Sequence, residues 1–182
     1  MSETLSIEKV IEIGTQVGIR TAMETIEKIK NEKCQSRYDR RLRNTQLLLK
    51  NYRNFHVHCK DAVYKKHSAN AVDILDELDG YEWDSNLFVE SIKKSTERTS
   101  IILDHIDRML EIFRYITEKS GKLEEIAKYK VISAMYIDDE EKTVEEISEE
   151  MHVAVKSVYR YKNIGIEYLS SLIFGIDSLK SR

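Results

Sequence analysis

Residues 143–163 read Thr-Val-Glu-Glu-Ile-Ser-Glu-Glu-Met-His-Val-Ala-Val-Lys-Ser-Val-Tyr-Arg-Tyr-Lys-Asn. Thr143 and Glu146 have the spacing of a capping box. The threonine oxygen can accept from the backbone N–H near Glu146, while the glutamate reaches back to the threonine N–H. This predicts a short helix from Val144 to about Met151. His152-Val-Ala154 reads as a turn, and a second helix should begin near Val155. The apolar residues Val144, Ile147, Met151, Val153 and Val158 fall where the two crossed helices of a helix-turn-helix must meet. Ser148 takes the small position where the second helix presses close. His152 stands where such a turn usually prefers glycine, and histidine is among the residues enriched at positive φ.

In a helix-turn-helix the second helix lies in the major groove of DNA with its N-terminal residues at the base edges. Its outward residues here are Lys156, Ser157, Tyr159, Arg160 and Asn163, with Lys162 near the backbone. Arginine can read guanine through two hydrogen bonds, and asparagine can read adenine. Lysine and serine more often hold phosphates. Double-stranded promoter DNA is therefore the expected partner. The same apolar spacing occurs in other small three-helix units, so a merely solvated polar face is a second explanation of these residues.

Working outward, the chain of 182 residues has no proline and only six glycines. With so few helix breakers, the expected fold is all-α. Ile7, Val10, Ile11, Gly14, Val17, Gly18 and Ile29 recur at three- and four-residue spacings over about residues 6–32. Gly14 and Gly18 lie one turn apart, which suits close packing against another soluble helix. A second pattern over about 36–66 runs Leu42, Thr45, Leu49, Tyr52, His56, Cys59 and Val63, widened by Leu48, Phe55 and Ala62. A shorter one, Ala69 to Leu78, leads to a turn at Asp79-Gly80 with Tyr81 and Trp83 as a packing cluster. A third long helix should start near Asp84 or Ser85 and run to about Lys119. Its stripe is Phe88, Ile92, Thr96, Thr99, Leu103, Ile106, Leu110 and Phe113. Matched stripes with steps averaging about 3.5 residues suggest an antiparallel hairpin or a coiled-coil-like pair. Ser120-Gly121 breaks the pattern. The expected organisation is a long-helix region over residues 1–120, for self-association or partner contact, and a helix-turn-helix domain over 121–182.

The net charge of −3 hides an uneven distribution. Residues 28–66 carry +9 and residues 67–126 carry −7. Arg37, Arg40, Arg41, Arg43 and Arg53 could supply auxiliary phosphate contacts. Alternatively, the basic helix pairs with the acidic one, and charge alone leaves both open. The acidic run Asp138–Lys142 lacks EF-hand spacing and reads as a solvated connector.

No catalytic constellation is legible. There is no phosphate-cradling glycine loop, and nothing near Cys34 marks it as a nucleophile. His56 and Cys59 share a helical face but His58 does not, so a four-ligand zinc site is not expected. An enzyme, a metal or a cofactor is not expected. No apolar run reaches the roughly 18 residues of a membrane span, and no signal peptide is legible. Two cysteines without a secretory signal point to a reducing cytoplasm.

The runs Lys130-Val-Ile-Ser-Ala-Met-Tyr-Ile137, Thr143 to His152, Ser157-Val-Tyr-Arg160 and Leu169-Ser-Ser-Leu-Ile-Phe-Gly-Ile-Asp177 closely resemble the ArpU/RinA-like regulators of phages and prophages in Gram-positive bacteria. Arg41 to Tyr52, Glu90 to Arg98 and His105 to Leu110 resemble the family's N-terminal region, so the resemblance spans about residues 36–179. It is most specific at the C-terminus, which is similar to region 4 of bacterial sigma factors. It implies an activator of late phage genes, with RNA polymerase as a further partner and the N-terminal helices as a route to a homo-oligomer. The chain departs from the family at Ala154, where a serine usually caps the second helix, and at Tyr161, where aspartate is usual. Two alternatives share this pattern. One is a minimal sigma factor, for which Tyr38, Tyr52 and Phe55 are the candidate melting aromatics. The other is a DNA-packaging protein resembling a small terminase subunit.

Overall fold

The computed structural model describes residues 7–59, 89, 90, 92 and 96–175. Among them every regular element is helical, so the fold is all-α. The helices are α1 (Ile7–Lys50), α2 (Tyr52–Cys59), α3 (Thr96–Ser120), α4 (Leu123–Ile132), α5 (Val144–Glu150) and α6 (Val155–Phe174), with a π-helical segment at Ser133–Ile137. The turn around Asp79, the Tyr81–Trp83 cluster, the expected start of the third long helix, Val63 and Phe88 lie outside the described residues.

The patterns expected over 6–32 and 36–66 are not separate helices. α1 runs unbroken through Lys33-Cys34-Gln35, because no glycine or proline stands between Gly18 and Lys50 to stop it. The irregularity comes at Asn51. There the backbone ladder persists, with Asn51 N donating to Leu47 O at 3.1 Å and Phe55 N donating to Asn51 O at 2.9 Å. The Asn51 side-chain amide also donates to Leu47 O, at 2.9 Å, and competes for the same carbonyl.

The chain divides into two compact units, residues 1–37 with 180–182, and residues 38–179. In the first, every residue from Val10 to Arg37 is exposed, including Val10, Ile11, Val17, Met23 and Ile26.

In the second unit, α2 and α3 run antiparallel. Cys59 Sγ lies 3.9 Å from Thr96 O at one end, and Tyr52 Oη donates to Asp107 Oδ1 at 2.6 Å further along. The expected hairpin-like packing of the basic helix on the acidic one is thus present. Leu48, Leu49, Tyr52, Phe55 and Cys59 pack against Ile92, Leu103, Ile106, Leu110 and Phe113. Each fully buried large side chain of this set contributes roughly 1.5–3 kcal/mol. His56, placed in the stripe by spacing, is exposed at its rim and faces Asp107 at 3.6 Å.

α3 ends at Ser120, and Gly121 follows at φ +64, the left-handed geometry of a helix C-terminus. This break is real, yet it does not divide the core. Ile132, Tyr136, Ile166, Leu169, Ile173 and Phe174 belong to the same buried cluster as Leu48 and Phe113. His105 Nε2 donates to Ile173 O at 3.0 Å, and Tyr38 Oη donates to Glu167 Oε1 at 2.6 Å. Residues on both sides of position 120 therefore form one unit. Within it, α4 and α6 cross closely at Gly165, where a Cβ would stand 2.9 Å from Ile132 Cγ1 and 3.3 Å from Lys128 O.

Candidate nucleic-acid interface

The local structure of residues 143–163 follows from its hydrogen bonds. Glu146 N donates to Thr143 Oγ1 at 3.3 Å, and Thr143 N donates to Glu146 Oε2 at 2.7 Å, so the capping box is formed. The bonds that Thr143 N and, at 2.9 Å, Thr143 Oγ1 donate to Glu146 Oε2 hold this carboxyl below its ordinary pKa. After Glu150 the chain turns. Val153 N donates to Ser148 O at 3.1 Å, and Ser148 Oγ donates to Val153 O at 2.7 Å. His152 takes φ +53, as its place in the turn requires. Ala154 occupies the N-cap of α6 and provides no side-chain acceptor. The first N–H groups of α6 are therefore left without a side-chain cap.

A small core holds the two helices together. Val131, Val144, Ile147 and Val158 are buried in it, and Ala134, Met135, Met151, Val153 and Tyr161 pack around them. All five apolar positions expected to join the helices lie in this cluster. Tyr161 packs here with its ring half-buried, and the Arg160 guanidinium lies 5.1 Å from the ring centre.

The polar face of α6 is open. Lys156, Tyr159, Arg160 and Asn163 are exposed, while Ser157 and Lys162 are half-buried. Lys156, Ser157, Arg160 and Asn163 share one groove with Ala154 and Ile164. Tyr159 and Lys162 lie together to one side, the Lys162 ammonium 4.9 Å from the Tyr159 ring centre. The six expected residues thus form a groove group of four and an adjoining pair.

One contact was not visible in the sequence. Glu124 Oε1 of α4 pairs with Arg160 Nη2 at 2.9 Å, with both side chains about half exposed. The residues are 36 apart, and no short motif links them. On the other side of the turn, Lys142 Nζ pairs with Glu150 Oε2 at 2.6 Å, which raises the lysine pKa.

The arginines of the basic block are distributed differently from expectation. Arg37 is exposed in the first unit. Arg40 and Arg43 are half-buried. Arg41 is buried at 7% exposure, with its guanidinium 5.6 Å from the Phe174 ring centre. Arg53 Nε donates to Asp138 O at 2.7 Å, and its other nitrogens approach Met135 O at 3.4 Å and Glu141 Oε2 at 3.5 Å. Arg41 and Arg53 thus make contacts within the fold. Arg41 is enclosed by the fold, and Arg53 binds carbonyls at the end of the π-helical segment. Periodicity placed both on a polar face, but it carried no information about the helices that return to cover that face.

Among the described residues no three of His, Cys, Asp and Glu are placed to hold a metal ion. Also among these, no helix is long and apolar enough to cross a membrane. Neither family models, nor curated proteins, nor solved structures gave a match to the chain.

Proposed function

We propose that this protein is a sequence-specific DNA-binding regulator of transcription, and that α6 is its recognition helix. The observation that carries this is the exposed groove of Lys156, Ser157, Arg160 and Asn163 on a helix supported by a tight turn and its own small core. Two of these side chains suit base edges and two suit phosphates. Activation of late phage genes through RNA polymerase is the more specific form of the proposal. It rests on the resemblance to ArpU/RinA-like regulators. The minimal sigma factor is less well supported, since its candidate melting aromatics Tyr38, Tyr52 and Phe55 are all buried.

Selection from a randomised duplex pool, followed by binding titrations on the enriched sequence, tests the proposal. Arg160→Ala should cost about 1–3 kcal/mol and relax preference at one base position. Lys156→Ala should weaken binding to all sequences and lower the salt slope by about 1. If no sequence is enriched, or if both variants bind with unchanged affinity and salt dependence, the proposal fails. Transcription from the selected site by core polymerase alone would favour the sigma-factor alternative over an activator.

A further inference from the structure

We propose that residues 7–29 of α1 pair antiparallel with the same residues of a second copy of this chain, about a two-fold axis beside Gly18. This rests on the first unit alone and is independent of DNA binding.

Ile7, Ile11, Gly14, Gly18, Ala22, Thr25 and Ile29 fall on one face of α1. Their steps are 4, 3, 4, 4, 3 and 4 residues, the same read from either end. Ile7, Gly18 and Ile29 are spaced by 11, a repeat of about 3.67 residues per turn that keeps the stripe nearly parallel to the helix axis. An antiparallel two-fold interface favours this kind of sequence, because if residue i meets j, then j must meet i. Centred on Gly18, Ile7 faces Ile29, Ile11 faces Thr25, Gly14 faces Ala22, and the two copies of Gly18 face each other. Large residues stand at the ends and small ones at the crossing point, so the backbones can approach closely there.

Among the described residues of the first unit, no packing accounts for these side chains. A Cβ at Gly14 or Gly18 would meet no atom of the described residues within 4 Å, so no close approach among them requires glycine at either position. Each glycine costs the helix about 0.5–1 kcal/mol relative to alanine. Ile7 is 78% exposed, Ile11 63% and Ile29 47%. The flanks are apolar too. Val10, Ile13 and Val17 line one edge of the face, and Ile19, Met23 and Ile26 line the other, all exposed in the monomer. Antiparallel pairing sets each edge beside the same edge of the second copy and extends the covered strip.

Charge does not oppose the pairing. Over the paired residues, Glu8, Lys9 and Glu12 leave 7–18 at −1, and Arg20 and Lys28 against Glu24 and Glu27 leave 19–29 neutral. The direction is carried by the spacing, which reads the same from either end.

The test uses the full chain with Cys34→Ser to remove the exposed thiol. Light scattering after size exclusion should give at least a dimer at micromolar concentration. In this background Ile7→Cys and Ile29→Cys are made separately. Under mild oxidation each alone should give little disulfide-linked dimer, and a mixture of the two should cross-link efficiently. Gly18→Leu should weaken association at least tenfold, while circular dichroism and the thermal transition of the rest of the chain stay unchanged. A monomer at these concentrations would overturn the proposal. So would efficient cross-linking of Ile7→Cys with itself, which would mean parallel pairing.

Discussion

Arg160 is held by Glu124 at 2.9 Å and lies over the ring of Tyr161. A half-exposed ion pair of this kind is worth about 0.2–1 kcal/mol. If α6 reads DNA as proposed, the carboxylate must be displaced before the guanidinium can reach a base, and Glu124 also adds a negative charge beside the groove. Glu124→Ala should therefore tighten DNA binding by about two- to fivefold. It should also make binding more sensitive to salt. Titration of the variant beside the parent protein at two salt concentrations checks this, and weaker binding would mean that Glu124 positions Arg160 instead of restraining it.

Tyr38 is a second residue whose partner has a measurable consequence. Burial, the hydrogen bond to Glu167 and that carboxylate's charge push its hydroxyl pKa from 10.0 up to about 12. Tyr52 is raised further by burial and Asp107. The folded state thus holds both protons more tightly than the unfolded state does. Their contribution to stability is whole below pH 10 and is lost as the pH rises through the folded-state values. Denaturant titrations between pH 9 and about pH 12 should show stability falling, and Tyr38→Phe should flatten part of that fall. At pH 7 the same variant should lose about 1 kcal/mol from the missing bond.

At the scale of elements, α6 begins without a side-chain cap because Ala154 stands at its N-cap. Ala154 already has extended backbone angles, φ −65 and ψ 144, so a serine there needs no rearrangement to accept from the first turn. Ala154→Ser should raise stability by about 0.5–1 kcal/mol, read as a higher thermal midpoint. Gly165→Ala should do the opposite. Alanine would gain up to about 1 kcal/mol of helix propensity, but its methyl would collide with Ile132 and the Lys128 carbonyl at the crossing of α4 and α6. Overpacking of this kind costs about 1–3 kcal/mol, so the net change should be destabilising. An unchanged or raised midpoint would show that α4 can move aside. The two positions also differ in how visible they were. The missing cap, the Thr143–Glu146 box and the positive φ of His152 were legible, because each depends on residues within four positions along the chain. Gly165 carried no signal, because its constraint comes from α4, more than thirty residues away.

At the scale of the molecule, helix content and antiparallel pairing followed from the lack of proline and the matched stripes. The boundary at Ser120-Gly121 marked a helix end and not the edge of a core, and local patterns cannot separate these two cases. The groove of Lys156, Ser157, Arg160 and Asn163 lies on α6, but the support of α6 comes from both sides of that break. Ile166, Leu169, Ile173 and Phe174 are buried in one cluster with residues of α1, α2 and α3, and His105 of α3 donates to Ile173 O. Removing residues 1–120 would strip α6 of its contacts with the preceding helices. What would remain is a reduced core, Val131, Val144, Ile147 and Val158 together with the crossing of α4 and α6 at Ile132 and Gly165. That core is too small to offset the conformational entropy of ordering some 60 residues, which is roughly 1–2 kcal/mol per residue for the backbone alone. A fragment of residues 121–182 should therefore be mostly unfolded alone, with weak helical dichroism and no cooperative thermal transition. A fragment of residues 38–182 should unfold cooperatively. If residues 121–182 instead melt cooperatively alone, the helix-turn-helix is an independent domain after all. The contacts of α6 with α1–α3 would then be a docking interface between two folded parts.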